Sequence, residues 1–222
     1  MWYNGEKGGS IVTAEEKIPF IVEALEKAYP DPSCALKSEK DYELLFSVRL
    51  SAQCTDERVN MVTPALYAAY PTLESFAGAE VTDVEKLIHS CGFFRAKARD
   101  IVLSAKMLLE NYGGRVPDTM EELLKLPGVG RKTANLVLGD VHKAPGSVVV
   151  DTHCIRISNL LGLVSTKDPV KIEHRLRQLL PPEKSNDFCH RIVLHGRALC
   201  VANRPKCEQC PLAPWCAHMT GE

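Results

Sequence analysis

Leu126-Pro-Gly-Val-Gly-Arg-Lys132 is followed, nineteen residues later, by Asp151. The residues before it, Thr119 to Leu126, read as a short helix, with Thr119 and Glu122 at capping-box spacing, and Pro127 stops it. Gly128 and Gly130 permit backbone with positive φ and leave no side chain in the way. A second helix begins near Arg131 and carries Ala134, Leu136, Val137 and Leu138. The product is helix, tight turn, helix. Such a turn points the N–H groups of Gly128, Val129, Gly130 and Arg131 outward, beside the positive end of the second helix dipole, and that is an anion site. A lone GxG turn would be a plain corner in an α protein. The whole run from Leu126 to Asn135 is far more specific.

Lys132 falls in the first turn of the second helix, where a cation opposes the helix dipole and where Arg131 adds a like charge. Both effects, and partial burial with them, favour the neutral amine. A neutral amine is a nucleophile that forms a Schiff base with a carbon such as the C1′ of a sugar. A lysine that only pairs with phosphate fits the same position equally well. Asp151 follows the β-branched run Val148-Val-Val150 and precedes a predicted helix from Thr152 to Leu161. It reads as an N-cap. The cap leaves room for a second role, in which a carboxylate held near Lys132 stabilises developing positive charge or assists proton transfer.

The cysteines give a second, independent signal. Of nine, four lie in the last 23 residues as Cys200-x6-Cys207-x2-Cys210-x5-Cys216. Clustered thiolates at such spacing converge on one soft metal centre, and spacing alone does not separate a four-cysteine zinc site from an iron–sulfur cluster. An odd count, no signal peptide and no long apolar run argue against disulfides and for a reducing cytosol. Cys34, Cys54, Cys91, Cys154 and Cys189 are too scattered to form a second site and read as core or neutral positions. Arg204 and Lys206 lie between the first two clustered cysteines, on a loop that a metal would pin at both ends and that could grip phosphates.

The remaining chain predicts an all-α protein. It has 222 residues, 45% of them hydrophobic and only 6% aromatic, enough for one large or two small domains. Apolar residues recur at helical intervals in Ile18 to Tyr29, Tyr42 to Gln53 and Ala96 to Leu109. Thr13 to Glu16 and Thr82 to Glu85 have capping-box spacing. Roughly ten helices are expected with almost no strand, and Met1 to Ser10 reads as a frayed tail. Net charge is −1, which by itself argues against a nucleic-acid partner. Its distribution argues the other way: the first 45 residues hold nine acids and five bases, whereas residues 91–143 hold nine bases and six acids. The basic excess therefore surrounds the glycine turn.

In five stretches the chain resembles the endonuclease III family of DNA glycosylases, within the helix–hairpin–helix superfamily. They are Leu50-Ser-Ala-Gln-Cys-Thr-Asp56, Leu126 to Asn135, Val150-Asp-Thr-His153, Leu194-His-Gly-Arg197 and the terminal cysteines, in family order, covering about Lys17 to Cys216. One departure is that Asp140 to Val149 is about one residue longer than the family pattern, in a loop with Pro145 and Gly146. The resemblance implies two helical domains with a DNA groove between them. One is a six-helix domain over residues 34–145, and the other is a discontinuous cluster domain from residues 1–33 and 146–222. It implies a [4Fe–4S] cluster on Cys200, Cys207, Cys210 and Cys216, Lys132 as nucleophile, and Asp151 as the catalytic carboxylate facing it.

Chemistry on a base inside a duplex requires flipping the nucleotide out. Gln53 matches the family's polar plug for the gap, and Phe93, in Cys91-Gly-Phe-Phe-Arg95, stands where an apolar wedge is expected. Simple core packing is the competing reading for Phe93 and Phe94. Asp56 reads as an N-cap or a site-orienting residue, and His153 as a pocket-lining residue or a purely local hydrogen-bonding one. The function implied is a bifunctional DNA glycosylase and apurinic/apyrimidinic lyase of base excision repair acting on oxidised pyrimidines. It would work as a cytoplasmic monomer, nucleoid-associated in a bacterium, on double-stranded DNA with a damaged base or abasic site, with no membrane involved. An adenine-mismatch glycosylase is disfavoured because Lys132 is present and Arg49 stands where its glutamate would be. A non-catalytic DNA-binding or redox iron–sulfur protein is disfavoured because both Lys132 and Asp151 are present.

Overall fold

The structure, a computed structural model, describes residues 13–220. Among them there are twelve α-helices and four 3-10 turns, with no strand. The chain divides into two compact units. One is continuous, Cys34–Val149, and the other joins the segment up to Ser33 with Val150 onward. In chain order, α1 (Ala14–Ala28) belongs to the discontinuous unit. The continuous unit carries α2 (Asp41–Ser51), α3 (Asp56–Ala69), α4 (Leu73–Ala77), α5 (Val81–Ile88), α6 (Phe94–Tyr112), α7 (Met120–Leu123) and α8 (Arg131–Asp140). That is seven helices rather than six, α7 being a single turn. The discontinuous unit resumes with α9 (Thr152–Leu160), α10 (Pro169–Leu179), α11 (Ser185–Ala198) and α12 (Ala217–Thr220).

In the continuous unit α6 is the central element. Its buried Ala98, Ile101, Val102, Ala105 and Leu108 repeat at three- and four-residue steps, one apolar stripe of a helix, and the helix packs on α4, α5 and α2. Phe46 and Phe76 are fully buried with ring centroids 5.1 Å apart, edge to face. Each contributes roughly 1.5–3 kcal/mol by burial. The discontinuous unit is built the same way. Ile18, Ile21, Val22 and Leu25 of α1 face α11 and α10, and α11 also packs on α9. No helix among the described residues is long and apolar enough to cross a membrane.

Local signals hold where a single turn of backbone decides them. Thr13 and Glu16 form the full capping box, with Glu16 N donating to Thr13 Oγ1 at 3.3 Å and Thr13 N to Glu16 Oε2 at 2.8 Å. Thr82 does not cap: α5 starts at Val81, and the half-in residue is Glu80, whose carbonyl accepts from Asp83 N and Val84 N. Burial of Val84 and Ile88 sets that register. Thr55, not Asp56, is the N-cap of α3, accepting from Arg58 N at 3.2 Å, and Asp56 is the first helical residue. The tail expected at Met1 to Ser10 lies outside the described residues.

Candidate active site and metal centre

The glycine turn is positioned by its two helices. Thr119 caps α7 by accepting from Glu122 N at 3.3 Å, but the box is only half made. The Glu122 carboxylate turns away to accept from Tyr112 Oη at 2.7 Å and Lys125 Nζ at 2.5 Å. Val129 N donates to Leu126 O at 3.2 Å, which closes the turn, and α8 begins at Arg131. The two glycines differ. Gly128 is left-handed, with φ 72°. Gly130 is the extended N-cap of α8, with φ −106° and ψ 177°, so only Gly128 needs the positive-φ freedom expected of both.

Beneath Gly128 lies an ion pair that the sequence does not announce. Arg49 donates from Nε and Nη2 to Asp100 Oδ2 at 2.9 and 2.7 Å. A Cβ on Gly128 would stand 2.6 Å from that carboxylate oxygen and would also meet Arg49 Nε. The turn therefore lies directly on the Arg49 and Asp100 side chains. Lys132 is exposed in the first turn of α8, and Gly128 and Gly130 are exposed while Val129 and Arg131 are partly covered. The turn thus presents backbone N–H groups, a helix N-terminus and an amine together at one surface, a combination that attracts a phosphodiester and can attack the sugar attached to it.

A second feature of the continuous unit lies at two turns flanking α2 and α6. Gln53 is exposed with φ 54°, and Phe93 is 70% exposed with φ 46°, both left-handed without being glycine. Phe94, by contrast, packs against the core and against His89, with ring centroids 4.4 Å apart. Of the two phenylalanines, Phe93 is therefore the one presented to solvent. Lys97 is fully buried, and its Nζ donates to Leu50 O at 2.8 Å and to Cys91 O at 2.5 Å. One ammonium group thus ties the end of α2, just before Gln53, to the 3-10 turn His89–Cys91, just before Phe93. Desolvation depresses the pKa of this lysine from its ordinary value. No local pattern in the sequence marks Lys97 for this role.

In the discontinuous unit, Asp151 caps α9, its Oδ1 accepting from Cys154 N at 2.7 Å. His153, two residues on, is partly buried, with Nδ1 3.5 Å from Arg156 Nη2. A Cβ on Gly196 of α11 would run into its ring, so that glycine is what lets α9 and α11 approach here.

Cys200, Cys207, Cys210 and Cys216 line one cavity of about 240 Å³, along with Arg156, Leu160 and Lys206. Among the described residues no three His, Cys, Asp or Glu side chains form a single-ion site. The donor set is four sulfurs, and positive or N–H groups meet them. Arg156 Nη1 donates to Cys200 Sγ at 3.0 Å while its Nη2 donates to Cys200 O at 2.6 Å. The Tyr29 hydroxyl sits 3.1 Å from His195 Nδ1, and the other ring nitrogen, Nε2, sits 3.5 Å from Cys210 Sγ. Burial, with Arg156 beside it, pushes His195 down to about 4, so the ring is neutral at physiological pH. Burial, and then the neighbouring cysteines, raise the Cys210 thiol. A soft metal centre would relieve that crowding by binding the thiolates, so the residues fit one. Lys206 N donates to Leu199 O at 2.9 Å, which closes the loop that carries the exposed Arg204 and Lys206.

Comparison with known proteins places this arrangement. The model of the HhH-GPD superfamily base excision DNA repair proteins matches residues 46–182. Endonuclease III of Synechocystis sp. is 44% identical over 93% of this chain and 94% of its own. Endonuclease III of Escherichia coli is 36% identical over 89% and 93%. A solved non-covalent endonuclease III–DNA complex superposes with a TM-score of 0.87 at 38% identity, covering 93% of this chain and 97% of that one. A trapped endonuclease III–DNA covalent intermediate matches with the same values. A thermostable thymine-DNA glycosylase, 21% identical with a TM-score of 0.82, shares the fold. Helical architecture, glycine turn and relatives agree, and the chain belongs to the HhH-GPD superfamily of base excision DNA repair proteins and, within it, to the endonuclease III family of DNA glycosylases.

Proposed function

We propose that this base excision repair enzyme is bifunctional, removing an oxidised pyrimidine and then cutting the strand by β-elimination. The observation that carries the reading is the exposed Lys132 in the first turn of α8, directly after a glycine turn that opens onto a helix N-terminus, a geometry suited to a phosphate. Lys132 Nζ attacks C1′ of the flipped nucleotide, and the bond from C1′ to the base breaks. The nitrogen lone pair then closes the C1′–N bond to an imine as the sugar ring oxygen leaves. Loss of a C2′ proton places electrons between C2′ and C3′, and the 3′ phosphate departs. Asp151, whose Oδ1 is engaged as the α9 cap, supplies the carboxylate that offsets the positive charge developing at C1′.

In the same reading Gln53 occupies the space vacated by the flipped nucleotide, and Phe93 wedges between bases. Gly128, Val129, Gly130 and Arg131 hold phosphate, His153 lines the approach to the base, and Arg204 and Lys206 grip the backbone farther along. Cys200, Cys207, Cys210 and Cys216 would hold a [4Fe–4S] cluster, for which the four-sulfur lining, the Arg156 donor and the adjoining His195 ring are suited. When bound, the cluster supplies structure, pinning the loop between Cys200 and Cys207. The enzyme acts as a monomer in the reducing cytosol, nucleoid-associated in a bacterium.

Borohydride trapping on a duplex with one thymine glycol tests the reading. The cluster-replete parent should give a covalent adduct, and Lys132→Ala should not. Tight DNA binding by the parent without an adduct would mean a monofunctional glycosylase or a binder.

A further inference from the structure

Two arginines of the continuous unit take no part in the function above. Arg95 and Arg99 are exposed and stand four residues apart, on one face of α6. Arg95 follows Phe93 by two residues, and α6 starts from Phe93 itself, whose carbonyl accepts from Lys97 N at 3.2 Å. The Arg95 guanidinium lies over the Phe94 ring, 5.5 Å from its centroid, and that ring packs against the core. It is therefore held at the turn that presents Phe93. Among the described residues, no carboxylate pairs with Arg95 or Arg99. Asp100 is the single acidic residue from Phe94 to Leu109, and it is buried and committed to Arg49.

This pattern works against the helix that carries it. Like charges four residues apart repel, and Arg95, in the first turn, also opposes the helix dipole. No acidic residue lies in that turn to offset it. Lys97, buried in the next turn, adds a third positive charge, and its two carbonyl partners leave that charge uncancelled. Folding gains nothing from such an excess of cations. A polyanion laid along the exposed face neutralises it.

We propose that Arg95 and Arg99 grip backbone phosphates of the duplex beside the step that Phe93 enters, an assignment that rests on the reading of Phe93 as the wedge. The spacing suits the task. Four residues of helix separate the two side chains by about 6 Å along α6. Each strand of a duplex presents one charge about every 3.4 Å of its axis, so the two guanidiniums reach separate phosphates. The planar fork of arginine can give two hydrogen bonds to one phosphate. Such contacts carry no sequence information. They add affinity for any duplex and anchor the turn that inserts Phe93, while the chemistry stays with Lys132.

The test is fluorescence anisotropy with cluster-loaded protein on a duplex carrying an uncleavable tetrahydrofuran abasic analogue, over about 50 to 200 mM salt. Loss of one phosphate contact lowers the slope of log affinity against log salt by about 0.9. Arg95→Gln and Arg99→Gln should each show that reduction, and the double variant about twice it. Affinity at low salt should fall several-fold in each, by the same factor on duplexes of different sequence. Arg95→Lys and Arg99→Lys keep the charge and should keep most of the slope. Lys86→Gln of α5, whose ammonium already pairs with Asp83 at 2.7 Å, should bind like the parent. The proposal is overturned if the double variant keeps the parent's slope, or if Lys86→Gln loses as much slope as the single arginine variants. Phe93→Ala removes the wedge without removing charge and should weaken binding at unchanged slope. Parent-like affinity in Phe93→Ala would remove the wedge reading, and the arginine slopes would still decide the phosphate contacts. Since the duplex cannot be cut, failure of Lys132 trapping would remove the lyase reading and leave these slopes standing.

Discussion

The two glycines of the turn are interchangeable in sequence terms and should differ sharply when each is replaced by alanine. At Gly128, with φ 72°, a left-handed alanine costs roughly 1–2 kcal/mol. Its Cβ would also stand 2.6 Å from Asp100 Oδ2, so the Arg49 and Asp100 pair must move. Those side chains are 19% and 12% exposed, and disturbing their two hydrogen bonds adds about 1–3 kcal/mol. Gly128→Ala should therefore lose roughly 2–5 kcal/mol in urea unfolding followed by helical circular dichroism. At Gly130 the backbone is extended and a Cβ meets nothing within 4 Å. A small loss of N-cap preference is offset by a stiffer unfolded chain, so Gly130→Ala should stay within about 1 kcal/mol of the parent. In an Arg49→Ala background, which opens the space, Gly128→Ala should cost less than in the parent. Equal costs at the two glycines, or a Gly128→Ala protein as stable as the parent, would refute the claim that the turn lies on that ion pair.

Other residues give further tests. Lys97→Met removes the donor to two buried carbonyls, each worth about 1–3 kcal/mol if left unpaired, and should lower stability by roughly 2–6 kcal/mol in the same unfolding assay. It should also raise KM for damaged duplex more than it lowers kcat. Arg156→Met deprives Cys200 of its 3.0 Å donor and should speed the loss of cluster absorbance in air, with no change in helix content. Burial pushes the Cys34 thiol up to about 11 from an ordinary 9. A raised folded value means that its stabilising contribution is complete below pH 9 and is lost as pH rises through 11. The Tm of the parent should accordingly fall faster than that of Cys34→Ala across that window, and parallel curves would contradict the assignment.

Features decided within one helical turn were open to reading from the residues. The Thr13 box, the start of α8 at Arg131 and the Asp151 cap each depend on hydrogen bonds spanning three or four positions. Where two local readings competed, packing chose between them. Thr82 lost its cap because burial of Val84 and Ile88 starts α5 two residues earlier, and Glu122 left its box for Tyr112 and Lys125. Phe93 and Phe94 are adjacent and chemically identical, so only the fold could expose one and bury the other.

The sequence by itself determined an all-helical chain, a glycine turn opening a helix with a lysine in its first turn, and a four-cysteine cluster at its end. Each is written in residue type and short spacing, where backbone geometry leaves few alternatives. The tertiary structure decided what holds those parts in place. Arg49 meets Asp100 across 51 positions, Lys97 meets Leu50 across 47, and Arg156 meets Cys200 across 44. Contacts of that span are set by which helices pack together. A charged side chain buried far from its partner in sequence carries no periodic or local signal until the core that encloses it has formed.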